Sequence, residues 1–411
     1  MDNKKNLKKI KEHTTNFLIH GEDYNSTPSK SMKVFYNKKM ILNRDITSLA
    51  INAYAQMFNK NALTVLDSMA ATGIGAIRLI KECKNISTVY INDINPLAIE
   101  MARENLKLND LPNHNLKIRI FNEDANLLFN KIKKWAHESK KKNIHFPDII
   151  LIDPFGTPNL YLDAAFKAIK KEKGLICITA TDTPVLFGVR PKACYRKYLA
   201  KPLHVEYCKE IGSRILICFS SKIANINNLG VAPLLTFYSN HFVRIFLLTF
   251  KNKNQIHENF KNYGYILHCQ CNHRFILEDP LNLPDMCPAC YEKNHFKLAG
   301  PLWLGELHDV AFLERVRTLN ETEHFPNKKK IAKILEHAKA EIGMPPYYYN
   351  IHKICQELNI STIPKLEALI NLIQSKGFKA TRTHFDFVSI KTTMSHEQLK
   401  VSLSEIASQI R

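Results

Sequence analysis

Between Leu63 and Phe250 short apolar runs alternate with longer stretches of helical period, and this constrains the fold more than any other feature of the chain. Strands are predicted over Leu63–Ser68, Thr88–Asn92, Lys117–Phe121, Asp148–Ile152, Gly174–Ala180, Arg214–Ser220 and Phe242–Phe250. Helices are predicted over Ile74–Cys83, Pro96–Leu108, Ala125–Ala136, Asn159–Lys170 and Pro191–Ala200. A helix between two strands carries the chain back to the start of the sheet, so the strands run mostly parallel, with helices on both faces. Ligands of such sheets bind beyond the carboxyl ends of the strands, near the point where the strand order reverses.

The unusual residues of this region fall at those ends. The apolar run Asp148–Ile152 is bounded by Pro147 and Pro154 and leads into Asp153-Pro154-Phe155-Gly156. A carboxylate, a proline that cannot donate, and an aromatic ring suit a site that modifies a base. An exocyclic aromatic amine is a poor nucleophile because its lone pair is delocalised into the ring. Asp153 and a backbone carbonyl can accept its two hydrogens while Phe155 stacks on the base. The same four residues also serve as a plain strand end followed by a Pro-Gly turn.

After the first strand, Asp67-Ser68-Met69-Ala70-Ala71-Thr72-Gly73-Ile74-Gly75 is a small-residue loop opening a helix, where backbone can approach a ligand. It is neither a dinucleotide fingerprint nor a phosphate-cradling loop. Asp93, after the second strand, can grip the two hydroxyls of a ribose, or can start the helix that contains Pro96. Asp124 and Ala125, after the third, can face an adenine amino group; Asp124 can equally be an N-cap. Taken in order, these pieces match S-adenosylmethionine binding better than any one alone.

Several longer blocks are more specific: Val34-Phe35-Tyr36-Asn37 with Asn43-Arg44-Asp45, Ala71-Thr72-Gly73-Ile74, Asn92-Asp93-Ile94 and Asp153 to Pro158. Further on come Thr179-Ala180-Thr181-Asp182, Cys194-Tyr195-Arg196-Lys197-Tyr198, Gly300-Pro301-Leu302-Trp303-Leu304-Gly305 and Thr381-Arg382-Thr383-His384-Phe385. On these blocks the chain resembles the tRNA (guanine-26-N(2))-dimethyltransferases, from about Val34 to Thr393. The resemblance implies a Rossmann-like class I methyltransferase sheet of the α/β class, with a smaller α+β C-terminal domain. It implies transfer of one or two methyl groups from S-adenosylmethionine to N(2) of guanine 26. It also implies that Arg44, Thr72, Gly73, Asp93, Asp124 and Ala125 hold the cofactor. Asp153 would be the catalytic carboxylate, with Phe35 and Phe155 sandwiching the guanine. Gly75 stands where the family often carries arginine, and Arg78, one turn later, is the nearest substitute. The alternatives are methylation of another exocyclic amine, such as adenine N(6) of RNA or DNA, and a non-catalytic RNA-binding protein.

Charge points to the same partner. Lys and Arg number 58 against 38 Asp and Glu, for a net +20, spread through Lys4-Lys5, Lys8-Lys9, Lys140 to Lys142 and Lys328 to Lys330. An excess of that size favours a polyanion such as tRNA, although lysine enrichment also accompanies hot habitats. The longest apolar run, Phe242–Phe250, is too short to span a membrane and is broken by Arg244. The N-terminal residues lack the apolar core of a signal peptide. Cys83, Cys177, Cys194, Cys208, Cys218 and Cys355 are scattered and read as reduced, buried thiols of a cytoplasmic protein. No obligate protein partner is implied.

Cys269-Gln270-Cys271 and Cys287-Pro288-Ala289-Cys290 cluster instead, as a four-cysteine structural zinc site with His268 or His273 as possible replacements. The domain division is 1–252 for the methyltransferase and 253–411 for tRNA binding. Within the second, 265–297 is the zinc-binding segment, and 328–411 is a helix-turn-helix-like pair plus a hairpin over Phe378–Thr392. Asn252–His257 reads as a polar linker. Lys379, Arg382 and Lys391 are the RNA-contact candidates there. Tyr347-Tyr348-Tyr349 can stack on nucleotides or pack as a helix start, and Trp303 reads as a core residue.

Overall fold

The computed structural model describes residues 7–24, 32–111, 115–138, 144–293 and 295–410. The basic runs Lys4-Lys5 and Lys140 to Lys142 lie outside the described residues. The chain opens with a hairpin, β1 (Leu7–Glu12) and β2 (Thr15–His20), and then the helix α1 (Ile41–Met57). The central sheet is built from β3 (Leu63–Asp67), β4 (Ile86–Asn92), β5 (Lys117–Phe121), β6 (Ile149–Ile152), β7 (Leu175–Ala180), β8 (Gly230–Ser239) and β9 (Phe242–Phe250). Its order is β5-β4-β3-β6-β7-β9-β8, with β3 to β7 parallel and β9 antiparallel to both β7 and β8. The order reverses between β3 and β6, so the chain leaves Asp67 and Asp153 side by side at adjacent carboxyl ends.

One predicted strand is a helix. Arg214–Ser220 lies inside α2 (Cys208–Ile226), which is buried on nearly every side. It is squeezed between the sheet and the strand Phe296–Trp303, so its apolar residues run right round it and the helical period disappears from the sequence. The missed seventh strand is β8. Pro233 argues against a central strand, and β8 is the sheet edge, with a register shift beside Pro233. The predicted linker at Asn252–His257 is also helical: Asn252 caps the helix Lys253–Lys261 by accepting from Asn254 N at 2.9 Å.

Two apolar cores flank the sheet, and both draw on residues beyond 252. One joins Leu66, Ile150 and Ile178 to Ile266, Trp303 and Phe385. The other joins α1 to the helices Val310–Thr322 and Lys328–Ala340. A separate core lies under the C-terminal helices Ile351–Glu357, Leu366–Ser375 and His396–Ile410. Residues 358–365 separate the first two of these helices, a longer link than a helix-turn-helix motif uses. The predicted hairpin forms as Ala380–Arg382 paired with Ser389–Thr392. Trp303 is buried as expected and donates to Glu306 O at 3.0 Å.

Candidate active site

The loop after β3 is shaped for close approach. Gly73 has φ +76°, and a Cβ there would meet the Ala102 Cβ at 2.9 Å, so only glycine fits. Beside it Thr72 Oγ1 is buried and unpartnered among the described residues. Asn92 aligns the neighbouring strand ends: its amide donates to Ser68 O and Glu123 O, both at 3.0 Å, and its carbonyl accepts from Glu123 N at 3.1 Å. Asp93 accepts from Ala71 N at 2.8 Å and Asn95 N at 2.9 Å, tying the loop after β4 to the glycine loop. Asp124 caps the helix Ala125–His137 through Leu127 N at 3.1 Å, so its N-cap role is realised. Ile94 and Leu127, large apolar residues left exposed beside these two aspartates, offer walls for a flat ring. Sequence reading overlooked both, because an isolated exposed leucine carries no signal of its own.

Asp153 lies at the end of β6, half-buried. Burial raises its pKa, while Arg244, a hydrogen bond from Thr179, Arg44 and His241 oppose that rise. Thr179 is the link to the buried charge: Arg244 Nη1 donates to its Oγ1 at 2.7 Å and Nη2 to Thr47 Oγ1 at 3.2 Å. Arg244 sits opposite Thr179 in the β7/β9 ladder, which places a cation behind the carboxylate without direct contact. Its sequence signal was the single charge inside an otherwise apolar strand. Asp67 was not singled out either. Burial, Asp153 and Asp93 push its carboxyl up to about 7.

Phe35 and Phe155 meet at the mouth, edge to face, with centroids 5.5 Å apart and planes at 88°. A sandwiched base needs about 3.5 Å on each face, so admitting one requires the rings to turn parallel and part. Phe155 is 50% exposed. Its loop is clamped from below: Gly156 N donates to Thr181 Oγ1 at 2.7 Å, and Thr157 Oγ1 pairs with Tyr198 OH at 2.9 Å. Tyr198 OH in turn donates to Asp182 at 2.8 Å.

Arg44 lies close enough to affect Asp153, but its guanidinium grips Glu12 of the N-terminal hairpin. Arg78 is no substitute for the missing loop arginine. It is fully buried, and its fork is consumed by Glu12, Asp45 and Glu82 at 2.7 to 2.9 Å.

The four cysteines do converge. Their sulfurs lie within 4.8 Å of one another, with Cys269–Cys290 and Cys271–Cys287 at 3.7 Å. A tetrahedron with metal–sulfur bonds of about 2.3 Å has edges of about 3.8 Å, so the donor set fits zinc. His268 turns away to Tyr207 OH at 3.1 Å, and neither it nor His273 joins the group that the four thiols form among the described residues. Among the RNA-contact candidates, Lys379 is exposed and Arg382 pairs with Glu367 at 2.6 Å. Lys391 is only 1% exposed and lies between Glu210 at 2.6 Å and Glu341 at 3.3 Å, which removes it as a phosphate contact. Tyr348 and Tyr349 are buried, and the Arg274 guanidinium lies 4.1 Å from the Tyr349 ring centre, so this cluster packs rather than presenting faces to nucleotides.

The family model for N2,N2-dimethylguanosine tRNA methyltransferase matches residues 16–403. A tRNA (guanine(26)-N(2))-dimethyltransferase of Methanobrevibacter smithii is 35% identical over 384 residues, covering 92% of this chain and 93% of that one. The protein of the same name from Methanococcus maripaludis is 31% identical over 407 residues, 98% of this chain and 100% of its own. The solved structure of Trm1 from Pyrococcus horikoshii, a complex with S-adenosyl-L-methionine, is 30% identical with a TM-score of 0.80. It covers 97% of this chain and 100% of that one. No helix among the described residues is long and apolar enough to cross a membrane. With a family match that runs from the N-terminal hairpin into the last helix, the chain belongs to the N2,N2-dimethylguanosine tRNA methyltransferase family.

Proposed function

We propose that this protein transfers methyl groups from S-adenosylmethionine to the exocyclic N(2) of guanine 26 in tRNA, twice at the same nitrogen. The carrying observation is the Asp153 carboxylate at the strand-order reversal, next to the Gly73 loop and below the Phe35/Phe155 pair. Asp93 would hold the ribose of the cofactor and Asp124 with Ala125 its adenine end, between Ile94 and Leu127. Thr72 and Gly73 would line the methionine side, and Arg44 would face its carboxylate. The bound sulfonium supplies an electrophilic methyl group.

The protein's own part is placement and charge. Phe35 and Phe155 replace the stacking lost when the guanine leaves the tRNA. Asp153 accepts an N–H of the amine and localises its lone pair toward the methyl carbon. As the N–C bond forms and the S–C bond breaks, the nitrogen becomes positive and Asp153 takes its proton. Arg244, acting through Thr179, keeps Asp153 ionised for that step. The reading assigns the reaction to residues 1–252 and tRNA holding to 253–411, with zinc on Cys269, Cys271, Cys287 and Cys290. Incubating unmodified tRNA with the protein and S-adenosylmethionine, then analysing nucleosides by mass spectrometry, tests it. Dimethylguanosine is the expected product; methyladenosine or no product overturns the reading.

A further inference from the structure

One sequence block is unused by the chemistry above, and it borders the catalytic loop. The helix Pro191–Tyr198 is fastened to the turn after Asp153 by Asn159 Nδ2 donating to Lys197 O at 2.7 Å, and by Tyr198 bonding Thr157 and Asp182. Segment 189–201 contains five basic residues and no acidic one. Lys197 is spent on Asp182 at 3.2 Å. The exposed Arg190, Lys192 and Arg196 make no ion pair with any described residue. Tyr195 is 60% exposed and Leu199 64% exposed, although Tyr198 and Cys194 on the other face of the same helix are buried. Solubility does not call for an exposed tyrosine among unpaired cations; together these are the parts of a single-strand nucleic-acid surface.

Resting on the tRNA reading, we propose that this helix is the lip that receives the strand beside the extruded guanosine. Arg190, Lys192 and Arg196 neutralise flanking phosphates, and Tyr195 stacks on the neighbouring base. The loop bonds to Asn159 and Thr157 make the lip and Phe155 one rigid unit, so seating the backbone also seats the target over Asp153. Phosphate contacts of this kind set register without reading sequence.

The test uses the full-length protein, S-adenosylmethionine and unmodified tRNA, with affinity measured across a salt series. Each lost phosphate contact flattens the plot of log Kd against log salt by about 0.7 to 0.9. The Arg190→Ala/Arg196→Ala double variant is expected to flatten it by about 1.5 and to weaken tRNA binding about tenfold at low salt. Tyr195→Ala weakens it about tenfold and Tyr195→Phe restores it. Calorimetric affinity for S-adenosylmethionine and melting temperature stay at wild-type values. Wild-type tRNA affinity and salt slope in the double variant would overturn the lip, provided the unaltered enzyme methylates the same tRNA. Failure of the unaltered enzyme to methylate overturns the functional reading on which the lip rests.

Discussion

Arg44 holds Glu12 in a two-pronged pair, Nε to Oε1 at 2.6 Å and Nη2 to Oε2 at 2.7 Å. Tyr36 OH donates to the same carboxylate at 3.0 Å and Arg78 at 2.9 Å. Burial works against the charge, but the two arginines hold the Glu12 carboxyl down at about 2. If Arg44 serves the cofactor, Glu12 is what aims it. Glu12→Gln is expected to weaken S-adenosylmethionine binding about tenfold, ~1.4 kcal/mol, measured by calorimetry. A lower melting temperature with unchanged cofactor affinity would confine the pair to holding the hairpin.

Asp153→Ala is expected to abolish methylation with tRNA affinity nearly intact; substantial turnover would remove Asp153 from the chemistry. Because burial raises its pKa, the acid limb of the rate profile should lie above the usual carboxylate range. Arg244→Met withdraws the opposing charge and should move that limb to still higher pH. A limb that stays in place would detach Arg244 from the reaction.

Asp67 couples the site to stability. Its folded pKa, about 7, exceeds the unfolded value, so between about 4 and 7 the native state holds a proton that the unfolded chain releases. Stability therefore falls as pH rises through that window, by up to about 1.4 kcal/mol per unit. Asp67→Asn should flatten melting temperature against pH and raise it at pH 7 and above. A profile parallel to wild type would refute the assignment.

His13 carries the same sign, for a different reason. Its hydrogen bond to Glu82 at 2.8 Å raises its pKa, so the pair's contribution is complete below the ordinary imidazole value. It fades as pH rises through the raised one. Amide protection factors in the N-terminal hairpin, corrected for intrinsic base-catalysed exchange, should fall as pH rises through the raised value, and His13→Gln should remove that fall.

The zinc reading predicts close to one metal ion per chain by elemental analysis. Cys290→Ala should lose the metal and melt earlier. Full stability without metal, and four titratable thiols in the native state, would dismiss the site.

How much could be read in advance follows from where each signal is stored. Strand ends such as Asp93 and Asp153 were legible because parallel strands are short and apolar, so the first polar residue marks where each one stops. The paired cysteines were legible because ligand spacing is local. Helix α2 was not, since burial on both sides erases its period. The hairpin β1/β2 was invisible too. Its turn is His13-Thr14 rather than Asn-Gly, and His13 takes φ +48° while its ring binds Glu82 and His324 O.

By itself the chain determined six of the sheet's seven strands, the acidic residues at its carboxyl edge and the thiol set, because each depends on neighbours within a few positions. The tertiary structure decided which charges remain available. Arg78 and Lys391 look in sequence like candidates for a ligand, yet folding encloses both among carboxylates. Arg190 and Arg196 look no different, yet they stay uncovered. That difference comes from contacts between residues far apart in the chain, which local pattern cannot encode.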